Sequence, residues 1–238
     1  MFRAWHLSLL PVTVALLMAA DQPWKDKQAS DWNDADAKLV LAGSPWAKVI
    51  KPAVEPAVAQ RAPARMVMPR RPAVYGYPAG GYPAGGYPTP QPAPAARQAE
   101  QAPILTLRWE SALPIREAVM KARDANAPTI EEGYYALAVY GVPARMVNVE
   151  SKTLATRLKG LATIRRDGQK DLKPSRVLVL QRDGGPVFVY LFAHGKSKSK
   201  PIIKPEDKRL DFEAQIGRLR FGESFFLEDM VFEGNLEL

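Results

Sequence analysis

The chain of 238 residues contains no cysteine and only two histidines, His6 and His194. Without cysteine there is no disulfide framework, no thiolate nucleophile, no thiolate-bound zinc and no lipid-bearing N-terminal cysteine. Long apolar runs are also scarce. The one of note, Leu7 to Met18, is broken by Ser8, Pro11 and Thr13, and it falls short of the ~20 apolar residues that span a bilayer. Arg3 precedes this run, and the small residues Ala19 and Ala20 follow it, ahead of the polar stretch DQPWKDK. That order is a secretory signal peptide over residues 1–20, cut after Ala19 or Ala20. The mature chain is therefore expected to be exported, periplasmic or extracellular, without a transmembrane segment. His6 leaves with the signal, and one remaining histidine excludes a multi-histidine zinc site within one chain.

Proline is abundant but confined. Of 22 prolines, 12 fall between Pro52 and Pro103, around YGYPAGGYPAGGYPTPQPAPAA with its recurring GYPAG unit. Repeated proline removes amide donors and fixes φ, while Gly-Gly restores freedom between the stiff pieces. Such a segment cannot bury enough apolar surface to offset its ordering entropy, so residues 52–103 are expected to be a disordered linker. The formal charge is +8. Residues 61–103 and residues 104–238 each carry +4 of it, and residues 21–60 carry −1. A basic balance suits nucleic acid, anionic lipid or polyanionic wall polymers. Export removes intracellular nucleic acid from that set. Arg65, Arg70 and Arg71 in the linker, and Lys196, Lys198 and Lys200 in the GKSKSK loop, are the candidate surface-binding residues. Plain solubility accounts for the same charges.

Ahead of the linker, Ser30 is a plausible N-cap for a helix in which Trp32, Ala35, Leu39 and Ala42 recur at helical spacing. Gly43 and Pro45 end it, and Trp46 to Ile50 reads as a short strand. A helix this short needs a tertiary partner. Residues 21–51 are therefore expected to dock on the domain beyond the linker through Trp32, Leu39, Trp46 and Val49, with Trp46 to Ile50 covering a sheet edge. A docking peptide for another envelope protein is the competing reading.

Residues 104–238 are enough for one core. Ile104 to Glu110 alternates as a strand, a helix capped by Ser111 runs through IREAVMKARDA, and Tyr134 to Val142 is a dense, central strand. Glu150 to Leu161 is an amphipathic helix. RVLVLQ and PVFVYLFA flank a turn at 182–185 as a hairpin. Leu210 to Ile216 alternates as a half-solvated strand, Gly217 and Gly222 mark turns, and Asn235 to Leu238 is a last short strand. The expected fold is α+β, a largely antiparallel sheet with about two helices on one face.

The search for chemistry returns little. Gly195-Lys196-Ser197 imitates the end of a P-loop, but Tyr190 stands where its first glycine belongs. Ser197 to Lys200 matches S-x-x-K without the partner motifs that would support it. No G-x-S-x-G occurs. His194 could serve as a general base beside a carboxylate, or simply end a strand half in water. Glu131/Glu132 and Glu228/Asp229 are adjacent pairs, which on a strand would point to opposite faces. Asp31, Asp34 and Asp36 lack the glycine and closing glutamate of a calcium loop and suit helix capping. Tyr134, Tyr135, Tyr140 and Tyr190 sit in apolar runs and read as core. No catalytic residue, metal ligand or cofactor is assigned.

The stretches SPWAK, RWESALP and DMVFEGNLEL, with the leader and the variable linker, resemble a set of uncharacterised exported bacterial proteins, chiefly acidobacterial. The resemblance implies export and no activity. Three functions are in play. The first is a non-catalytic binding or structural module of the cell envelope, whose partner is an envelope protein or wall polymer. The second is an envelope hydrolase using carboxylates with or without His194. The third is adhesion to anionic surfaces through the basic segments.

Overall fold

The computed structural model describes residues 22–55, 102–149, 152–195 and 201–238. The signal segment, Arg65, Arg70, Arg71 and the rest of the linker core, and Lys196, Lys198 and Lys200 lie outside the described residues. Among those described, the fold is mixed α+β and mostly antiparallel sheet. The strands are β1 (Ala47–Ile50), β2 (Ala53–Val54), β3 (Leu105–Trp109), β4 (Tyr134–Tyr140), β5 (Ala162–Arg166), β6 (Arg176–Arg182), β7 (Gly185–Ala193), β8 (Arg209–Ile216), β9 (Leu219–Phe226), β10 (Val231–Phe232) and β11 (Asn235–Leu236). They form a five-stranded sheet in the order β1-β3-β4-β7-β6, a four-stranded sheet in the order β2-β9-β8-β5, and the small pair β10-β11.

The apolar runs explain the order. YYALAVY and VFVYLF are apolar at consecutive positions, so both faces must be covered, and β4 and β7 take the inner places of the larger sheet. In β8 only Leu210, Phe212, Ala214 and Ile216 are buried, on one face. That face packs on the larger sheet. Tyr190 meets Phe212 at 5.4 Å and Trp109 meets Phe225 at 5.6 Å, both edge to face, the arrangement that ring quadrupoles favour. One expected sheet is thus two, with no ladder between them, and the strand β9 runs straight through Gly222, where a turn was expected. Its glycine lets the backbone lie against the Phe212 carbonyl and Glu213 of β8.

The helices are α1 (Pro23–Asp26), α2 (Asp34–Gly43), α3 (Leu113–Ala122) and α4 (Leu154–Gly160). Ser30 does not cap α2. Asn33 does, in a capping box with Asp36, while residues 29–31 form a 3-10 turn. Capping at Asn33 places Ala37 and Val40 inward and leaves Leu39 on the open side. Ser111 does not cap α3 either. Its hydroxyl accepts from the Ala136 amide, and Glu237 at the far end of the chain accepts from Leu113 N at 3.2 Å. The helices also divide differently from the expected pair. α2 and α3 pack on each other over one face of the larger sheet, whereas α4 packs beside β6 and sends Leu154 and Leu158 into the core between the sheets.

Residues 22–55 complete both sheets. β1 pairs antiparallel with β3, from Ala47 opposite Arg108 to Ile50 opposite Leu105. Two residues later Ala53 and Val54 pair with Arg220 and Leu219 of β9. The ordered segment therefore extends past Pro52, where the linker was expected to begin. Pro52 sits between the two strands, so its missing N–H costs no ladder bond.

Gly141 ends β4 at φ +81°, and a Cβ there would stand 2.5 Å from the Ile104 carbonyl oxygen. The left-handed backbone and the close approach both exclude a side chain. Gly141→Ala is expected to cost on the order of 2 kcal/mol, read as a lower denaturant midpoint with an unchanged slope.

Candidate functional site

The outer face of the larger sheet, under α2 and α3, carries the densest polar cluster among the described residues. Arg108 and Glu110 are two residues apart on β3 and its continuation, so both side chains leave the same face. Both are buried, at 5% and 3% exposure. The Arg108 Nε donates to Glu110 Oε1 at 2.6 Å, one terminal nitrogen donates to Asp124 at 2.8 Å, and the other to the Tyr140 hydroxyl at 2.7 Å. That hydroxyl donates in turn to Glu110 Oε1 at 2.5 Å. The guanidinium also lies 4.3 Å from the centre of the Tyr140 ring. The β3-β4 register sets this up, because Thr106 opposite Tyr140 and Arg108 opposite Ala138 share one face. Asp124 arrives just after the left-handed Arg123 that ends α3.

Two carboxylates face one guanidinium in low dielectric, so the cluster favours holding a proton. Burial pushes Glu110 above the ordinary carboxylate value of 4.5, while Arg108 and the Tyr140 hydroxyl pull against it without prevailing. Burial works against the charge on Arg108, but Glu110, Tyr140 and Asp124 outweigh it and hold the guanidinium firmly cationic. Burial and the neighbouring Glu110 raise Tyr140, which stays a neutral donor.

A cleft opens on either side of this cluster. The larger, about 650 Å³, lies between α3 and the loop at 128–134, and Glu110, Met120, Tyr134 and His194 reach it. Met120 is 63% exposed there. The smaller, about 320 Å³, has Arg108, Asp124 and Tyr140 at its floor and Leu41 and Val49 on its walls.

The expected site residues divide. Trp32 and Trp46 are buried and both rings lie against Phe232, at 5.6 and 6.2 Å. Leu39 and Val49, expected to dock with them, are instead 47% and 58% exposed. Leu39 is carried outward by the phase of α2, and Val49 points from β1 into the open side of the smaller cleft. His194 follows β7 with its ring 4.5 Å from Tyr135, at the edge of the larger cleft. Glu131 and Glu132 both line that cleft, contrary to the alternation expected of a strand, because residues 129–133 form a loop. Glu131 bonds Arg176 at 2.7 Å. Tyr135 and Tyr190 are in the core, but Tyr134 and Tyr140 are half-buried on the outer face rather than central.

Sequence reasoning passed over Arg108, Glu110 and Asp124. The signal was there in Arg-Trp-Glu at the end of a strand: two opposite charges at i and i+2 around a core tryptophan. Among the described residues no three His, Asp or Glu side chains are placed to hold a metal ion, and no helix is long and apolar enough to cross a membrane. No family model, curated protein or solved structure matches the chain.

Proposed function

We propose that this chain is an exported, non-catalytic binding module of the cell envelope, and that the cleft between α3 and the 128–134 loop receives an envelope protein or wall polymer. The observation that carries this reading is the use made of the buried charges. Glu110 Oε1 already takes two donors, and all three guanidinium nitrogens of Arg108 are engaged within the cluster. Of the cluster only Glu110 lines this cleft, held in place by Arg108 and Tyr140 behind it, while the walls offer apolar side chains such as the exposed Met120, the mixture typical of a binding cleft. The leader-like first twenty residues support export. In a pull-down from envelope extract at mild salt, the full chain is expected to retain a specific partner, and Met120→Asp to retain less than a tenth as much. Equal recovery by both chains, or none by either, contradicts the proposal.

A carboxylate hydrolase is the second reading. It is favoured by the raised Glu110 lining the same cleft as His194. It requires turnover of a wall glycan or ester by the full chain that Glu110→Gln abolishes.

A further inference from the structure

We propose that residues 22–55 are a donor segment recognised by the rest of the chain as a separable partner, so that the N-terminal segment of a second copy can occupy the same seat. The seat has two strand edges, β3 and β9, that would stand open without β1 and β2. It also has a ring socket at Phe232, into which Trp32 and Trp46 pack.

Most of the polar contacts across the boundary engage the backbone, the exception being Gln215 Nε2, which donates to the Glu55 carboxylate at 3.1 Å. Trp46 Nε1 donates to the Glu237 carbonyl at 2.8 Å, Trp109 N to the Trp46 carbonyl at 3.0 Å, and Lys121 Nζ to the Ser30 carbonyl at 2.8 Å. At the other sheet, Glu55 N donates to the Arg218 carbonyl and Arg218 Nε returns to the Glu55 carbonyl, both at 2.8 Å. Such contacts are those of strand addition, in which the main chain gives affinity and side-chain sockets give register.

Two features make a second copy the occupant. Both donated strands are at sheet edges, so the segment can leave and re-enter without unthreading the fold. Its own covalent link is 46 residues, 56–101, which leave after β2 and return before β3. A covalent link of that length sets an effective concentration on the order of millimolar for the tethered segment. Intramolecular seating therefore wins in dilute protein, and exchange between copies competes when the protein itself approaches millimolar concentration.

The test uses the full chain. A protease recognition sequence is placed between Gly81 and Tyr82 and cut after folding. The two pieces are expected to elute together at the mass of the uncut chain. Unfolding the cut protein and refolding it with a ten-fold excess of a labelled synthetic peptide of residues 22–55 should leave about nine-tenths of the complex labelled, and a Trp46→Ala peptide should enter at least ten-fold less. Uncut chains bearing two different tags, refolded together, should give only monomers at 10 µM and mixed-tag dimers at 1 mM. Separation of the pieces after cutting, labelling below a tenth after refolding, or monomers alone at 1 mM would each overturn the proposal.

Discussion

Replacing Trp46 by alanine is expected to destabilise the protein by about 3–5 kcal/mol, the range for deleting a fully buried large aromatic. Trp46 has no exposed surface, meets Phe232 edge to face, and donates its indole N–H to the Glu237 carbonyl. Its loss leaves a cavity and a carbonyl without its donor in one step. Because Trp46 immediately precedes β1, between it and α2, the loss should unseat α2 and β1 together, exposing the edge of β3. Urea unfolding followed by circular dichroism and tryptophan fluorescence measures the effect. Leu39→Ala and Val49→Ala are the controls. Both side chains are about half exposed, and each change is expected to fall within about 0.5 kcal/mol. A Trp46→Ala chain as stable as these controls contradicts the docking geometry.

The second large effect belongs to Arg108. Arg108→Met keeps the aliphatic stem and removes the cation that bridges Glu110 and Asp124, leaving two carboxyl groups facing each other under α3. Removing one partner of a buried ion pair costs about 3–5 kcal/mol near neutral pH. The penalty should shrink in acid, as protonation of the carboxyls removes the uncompensated charge. Adding Glu110→Gln to Arg108→Met should cost less than the sum of the single changes, since the two residues touch.

The wild-type chain carries a related pH signature. A carboxyl whose folded-state value lies above its unfolded value binds a proton in the folded state that the unfolded chain releases. The stabilisation from Glu110 is therefore complete below about 4.5 and is lost as pH rises through the higher folded value. Unfolding free energy measured from pH 4 to 8 should fall more with rising pH in the wild type than in Glu110→Gln. Parallel curves would show that Glu110 is not held above the ordinary range.

Local pattern and tertiary covering explain what could be read from the sequence. The 176–193 hairpin was legible because Arg-Asp-Gly-Gly stands between two apolar runs, and β8 because its alternation is complete. The short amphipathic helix ahead of the linker announced that residues 21–51 need a partner, since a helix of that length is not stable alone. The phase of α2 was not legible, because Ser30 and Asn33 are equally good caps by chemistry and only packing against α3 selects Asn33. Nor was the polar cluster. Alternation placed Thr106, Arg108 and Glu110 on one face but not what covers that face. Its cover comes from Asp124, sixteen residues beyond Arg108, and from Tyr140, thirty-two beyond. Tyr140 was hidden for the opposite reason: it ends an apolar run, yet its side chain lies on the face shared with Thr106 and bonds the charged pair.

Amide hydrogen exchange on the full chain tests most directly whether residues 22–55 are part of the folded unit that carries the clefts. The amides of β1 that bond β3 should exchange within about ten-fold of those linking β3 to β4, because release of the seated segment costs nearly as much as opening the sheet. Exchange of β1 within seconds, while β3 and β4 stay protected for hours, would show a segment resting on the domain instead of completing it, and would contradict the fold described for residues 22–55.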